Sequence, residues 1–228
     1  MSKTIFVLLA LISFPILSRA QDPNFHIYLA FGQSNMDGAG DVESQDKQGV
    51  DPRFQVLYGV NCPQVNKSVG KWYPADPPIC RCSSGLSPLD YFGREMLKKV
   101  PNNVKIGVIS VAVPGSKIEL FDLRTYQDYI KTAPDWMLNW IREYDNNPYQ
   151  RLVELAKKAQ REGVIKGIIL HQGESNTGDQ QWPQKVKTIY DDLMRDLQLD
   201  QAQTPLLAGE VVTSAMGGAC GSMNSIIA

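Results

Sequence analysis

"VKIGVISVAVPGS", residues 104–116, decides the fold class. Its first ten residues are apolar at odd and even positions alike, apart from Lys105 and Ser110, and rich in branched side chains. Such a run suits a strand covered on both faces, as in a parallel sheet. "VIKGIIL" (164–170) and "PLLAGEVV" (205–212) are segments of the same kind. "FHIYLAF" (25–31) reads as a first strand and residues 54–60 as a possible second. Between them lie helical patterns. Trp182, Val186, Ile189, Leu193 and Leu197 form one apolar stripe, and Tyr149, Leu152, Val153, Ala156 and Ala159 another. Pro148 and Pro183 stand at helix starts, where a missing N–H costs nothing. Strand–helix alternation predicts an α/β fold, a three-layer α/β/α sandwich with a mostly parallel sheet. In such sheets reactive groups gather at the carboxyl ends of the strands.

Lys3, the apolar run Ile5–Leu17 and the small residues around Ser18-Arg19-Ala20 read as a secretory signal peptide over residues 1–20, cleaved near Ala20. Residues 21–228 then form one domain of a secreted protein, periplasmic or extracellular. The chain has 23 basic and 24 acidic residues. Losing Lys3 and Arg19 leaves a net charge of about −3, which offers no footprint for nucleic acid or an anionic membrane. No other apolar stretch nears the roughly 20 residues that span a bilayer.

Four cysteines, Cys62, Cys80, Cys82 and Cys220, read as disulfides in an exported protein. A bond between Cys80 and Cys82 would strain the chain, so Cys62 is expected to bond one of them and Cys220 the other. C-x-C spacing without nearby histidines argues against zinc, and no metal or other cofactor is expected. Residues 61–88, dense in Pro, Gly and Cys, read as a long stapled loop in which Trp72 and Tyr73 pack the loop down. Trp136 and Trp140, one helical turn apart, read as helix packing rather than a platform for substrate. "GAG" at 38–40 is too short for a phosphate loop.

Three strand ends carry reactive residue types: Gln33-Ser34-Asn35 after the first strand, Pro114-Gly115-Ser116 after "VISVAV", and His171-Gln172-Gly173-Glu174-Ser175-Asn176 after "GIIL". By the strand-end rule all three converge on one edge. Alone, Ser34 would read as a helix cap and His171 as a structural histidine. Together they offer a nucleophile, oxyanion donors and an acid.

"GQSNM", "VPGSKIE" and "HQGESN", in this order and spacing, resemble the SGNH hydrolase superfamily. More narrowly they resemble the sialate O-acetylesterase-like domain of family-six carbohydrate esterases, which includes acetyl xylan esterases. The resemblance runs from about Phe25 to the last residue. It implies a flavodoxin-like α/β/α fold and metal-independent removal of acetyl groups from a polysaccharide such as acetylated xylan. Ser34 falls on the nucleophile, and Ser34 N–H, Gly115 N–H and the Gln172 side chain on the oxyanion-hole donors. Glu174 falls on the triad acid, with Gln33, Asn35, His171 and Asn176 as supporting residues. Ser34 is expected to cap its helix as well.

The resemblance places the general-base histidine in a segment beyond "PLLAGEVV", whereas the only histidines here are His26 and His171. The expectation is a sequence that stops short of one more strand, the histidine loop and a closing helix. Two alternatives stand beside it: a catalytically silent glycan-binding homologue, and His171 acting as base for Ser34.

Overall fold

The computed structural model describes residues 21–228, and the expected signal peptide lies outside the described residues. Six strands form one sheet: β1 (Asp22–Gly32), β2 (Phe54–Leu57), β3 (Trp72–Pro74), β4 (Lys105–Ala112), β5 (Gly163–His171) and β6 (Leu206–Ala208), in the order β3-β2-β4-β1-β5-β6. Only the β2–β3 pair is antiparallel. The helices are α1 (Ser34–Asp37), α2 (Pro88–Leu97), α3 (Tyr126–Thr132), α4 (Asp135–Glu143), α5 (Pro148–Ala159), α6 (Trp182–Leu197) and α7 (Asn224–Ile227). Helices α2 and α5 both pack on β4, and every residue from Ile106 to Ala112 is buried. Burial at successive positions requires cover on both faces, so the expected α/β fold with a mostly parallel sheet is what the chain adopts. Both helical stripes are wholly buried, and Pro148 and Pro183 occupy first-turn positions.

Three strand expectations are corrected. β2 ends at Leu57 because Tyr58 turns its backbone to the loop, donating to Lys71 O and accepting from Gly70 N–H. In that loop Trp72–Pro74 adds a strand no periodicity signalled. The expected strand 205–212 pairs only over Leu206–Ala208 and is not buried from both sides, since Leu207 is 61% exposed. β6 is the edge of the sheet and pairs with β5 alone.

The loop is stapled by Cys62–Cys82, with Cα atoms 5.3 Å apart. The second expected pairing, Cys80 with Cys220, is not formed. Cys80 is buried with its Sγ 3.8 Å from Tyr144 Oη, whereas Cys220 Sγ lies 3.7 Å from the Glu174 carbonyl. Burial pushes the Cys80 thiol up to about 12, so it persists as a protonated core residue. Trp72 packs against Phe25 with tilted rings and Tyr73 against Tyr58 edge to face, the packing role expected of them.

Helix α2 opens with a capping box, in which Ser87 Oγ accepts from Leu89 N–H and Asp90 Oδ2 from Ser87 N–H. Asp90 is fully buried, and burial pushes its carboxyl up to about 6. The folded protein therefore keeps this proton to about pH 6, whereas the unfolded chain releases it near pH 4. Between those values the folded state binds more protons, so this group lowers stability as pH rises, on the order of 3 kcal/mol when fully ionised. Urea midpoints of wild type and Asp90→Asn should diverge in the variant's favour from pH 4 to pH 6 and run parallel above. A constant difference across that range would refute the assignment.

Candidate active site

Gly32 lies opposite Ala112 of β4 and His171 of β5, so three neighbouring parallel strands end at one level. The loops that follow leave from the same edge, as expected. Gly32 is where they meet most closely. A Cβ there would stand 2.1 Å from the His171 carbonyl oxygen, and only glycine allows the chain to pass. Gln33 N–H donates to that same carbonyl at 3.1 Å.

Ser34 is the first residue of α1 and half-buried. It caps nothing. The cap position belongs to Gln33, with no side-chain hydrogen bond, so the expected capping role is corrected. The reason is geometric: Ser34 already has helical backbone, and its side chain cannot reach back to the first-turn N–H groups. Its Oγ has no hydrogen-bond partner among the described residues. Neither do the N–H of Ser34, at a helix start, nor that of Gly115, in a turn at φ +71°.

The β1 and β5 ends are laced together. Asn35 Nδ2 donates to Glu174 Oε1 at 2.7 Å. Gln33, 3% exposed, accepts at Oε1 from Gln172 Nε2 (3.1 Å), Ser175 N–H (3.3 Å) and Gly173 N–H (3.5 Å). Ser175 Oγ donates to Gly115 O at 3.0 Å, tying in the β4 loop. Glu174 Oε2 is buried and without a partner among the described residues. His171 Nδ1 is also buried without a partner and stands 3.9 Å from Glu174 Oε1, beyond hydrogen-bond distance. With Asn35, Leu86, Tyr91 and Val212, His171 lines a cavity of about 340 Å³.

Gln172 is fully buried. Its Nε2 faces Gln33 Oε1, Ser116 O and Asn176 Oδ1, and its Oε1 accepts from Trp182 Nε1. The indole donor fixes which end of the amide is oxygen, because the reverse would set two donors face to face. In this arrangement both amide hydrogens are engaged inside the fold. Asn176 is equally committed: its Oδ1 accepts from Ile118 N–H and Gln172, and its Nδ2 donates to Glu119 and Asp179. Burial opposes the Glu119 charge, but Lys185 at 2.6 Å and Asn176 hold its carboxyl below the usual range. Among the described residues no group of three His, Cys, Asp or Glu side chains could hold a metal.

The model of the family described as carbohydrate esterase, sialic acid-specific acetylesterase, matches residues 24–224. The chain belongs to this family. Carbohydrate esterases of this kind act on acetylated sugars. Three solved structures share the fold. A protein from Arabidopsis thaliana is 17% identical over 90% of this chain and 80% of its own, with a TM-score of 0.64. NanS is 18% identical over 90% and 73%, with a TM-score of 0.59. A carbohydrate acetylesterase from Xanthomonas citri is 20% identical over 81% of this chain, with a TM-score of 0.54, and this chain spans 40% of its length.

Sequence reading missed several residues that brace this candidate site. In sequence Trp182 reads only as part of a helical stripe, yet its indole N–H donates to Gln172 Oε1. Arg81 and Asp37 form a buried bidentate pair (2.7 and 2.8 Å) behind α1, across 44 residues of chain. No local pattern marks such a pair. The two tryptophans pack on each other edge to face, as the helix-packing reading expects, but they differ in burial. Trp140 packs against the core, whereas Trp136 is 50% exposed, at the surface beside Gly115.

Proposed function

We propose that the chain is a secreted esterase that removes O-acetyl groups from a polysaccharide, with acetylated xylan as the favoured class. Ser34 is the nucleophile. The observation that carries this reading is the convergence of Ser34, Gly115 and Glu174 from three in-register strand ends. Ser34 Oγ attacks the acetyl carbonyl carbon, and its proton passes to a histidine base. The resemblance places that histidine in a segment beyond residue 212, and within this sequence His171, 3.9 Å from Glu174, is the candidate. The tetrahedral oxyanion is held by the N–H groups of Ser34 and Gly115, which have no competing acceptor. Collapse expels the sugar hydroxyl, protonated by the base, and leaves an acetyl-enzyme that water hydrolyses to acetate. Glu174, fixed at Oε1 by Asn35, presents Oε2 to orient the imidazole and stabilise the imidazolium. Gln172 supplies a third oxyanion donor only by giving up one of its internal acceptors; otherwise it braces the pocket through Gln33. No step calls for a cofactor.

The test is acetate release from acetylated xylo-oligosaccharides and, separately, from O-acetylated sialic acid. Release from the former is expected. Release confined to the sialic acid would overturn the xylan preference, and saturable binding of both without release would favour the silent glycan-binding alternative. Among the described residues no helix is long and apolar enough to cross a membrane.

A further inference from the structure

Helix α4 buries Met137 and Ile141 on its inner stripe, and its packing on the core is complete without Trp136. Trp136 stands off that stripe and is half-exposed. Its ring is aimed rather than loose. It meets Trp140 edge to face, with centroids 5.3 Å apart and planes at 72°. Trp140 in turn lies under the Arg81 guanidinium at 4.9 Å, and Arg81 is locked to Asp37 on the helix that begins with Ser34. The far edge of the Trp136 ring reaches Gly115. A Cβ on Gly115 would fall 2.7 Å from the Trp136 ring, so glycine there admits the indole to the rim of the site. A half-exposed aromatic face is thus held by a continuous chain of contacts to the helix of Ser34 on one side and to an N–H without an acceptor on the other.

We propose that Trp136 is the platform on which the pyranose ring carrying the acetyl group stacks, placing that ester over Ser34 and Gly115. The apolar C–H face of a pyranose matches the indole face, and its hydroxyls stay in water. An apolar indole face suits the C–H face of a sugar better than it suits an ion. This proposal rests on the esterase reading above for the acetyl group but not for the sugar contact.

The test compares Trp136→Ala and Trp136→Phe with wild type on two esters. One is a fully O-acetylated methyl xyloside. The other is vinyl acetate, which has no ring to stack. Trp136→Ala should raise KM for the xyloside about tenfold with little change in kcat, leave vinyl acetate within about twofold, and be partly rescued by phenylalanine. Equal losses on both esters, or no loss on either, would overturn the platform. Where wild type turns over neither ester, the esterase reading fails, and calorimetric binding of the xyloside decides the platform separately. A weaker Kd in Trp136→Ala sustains it, and an unchanged Kd overturns it.

Discussion

Arg81→Met is expected to lose about 3–5 kcal/mol of stability, the cost of stranding a buried charge. Arg81 is 2% exposed and Asp37 4%, and the two share a bidentate contact at 2.7 and 2.8 Å. Burial alone would favour the neutral forms, but the Asp37 carboxylate overrides it and raises the Arg81 pKa. With the guanidinium gone, the carboxylate stays beneath α1 with no cation on it, and Trp140 loses its cover. Total stabilities of 5–15 kcal/mol are typical, so such a loss would remove a large share. The urea midpoint measures it. Asp37→Asn combined with Arg81→Met should recover much of the loss, because the stranded charge rather than the lost attraction dominates. A single variant within about 1 kcal/mol of wild type would refute this account.

Ser34→Ala is expected to behave in the opposite way. Acetate release should fall by roughly four to six orders of magnitude, as when a serine nucleophile is removed from an acyl-transfer site. The urea midpoint should barely move, because Ser34 caps no helix and its Oγ bonds nothing among the described residues. The combination separates a reacting group from a structural one. Activity that survives Ser34→Ala would show that another residue attacks the ester. His171→Ala on the same assay addresses the base: retained activity would exclude the histidine that stands 3.9 Å from Glu174.

Much of the site was legible because its residues follow strands whose apolar pattern is plain. Ser34, Gly115 and the 171–176 segment each come directly after a branched apolar run, and parallel pairing brings such ends to one edge whatever lies between. The elements misjudged share another trait. β3 is three residues long and exists because β2 offers an edge, and the end of β6 depends on having one neighbour rather than two. Cys80 and Cys220 were paired by elimination, yet one is sealed beside Tyr144 and the other lies at Glu174.

The sequence by itself determined the parallel strands β1, β4 and β5, the helices α5 and α6, and the three loops that carry Ser34, Gly115 and Glu174. These rest on periodicity and on turn-forming residues, which are properties of neighbours along the chain. Only the tertiary structure decided that Ser34 caps no helix, that Gln172 spends its amide on Gln33, Ser116 and Asn176, that Arg81 neutralises Asp37, and that Trp136 faces outward beside Gly115. The Gln172 contacts to Gln33 and Ser116 and the Arg81–Asp37 pair join segments 40 or more residues apart, and the exposure of Trp136 is a choice between core and solvent. Such outcomes are set by which surfaces meet when the layers close.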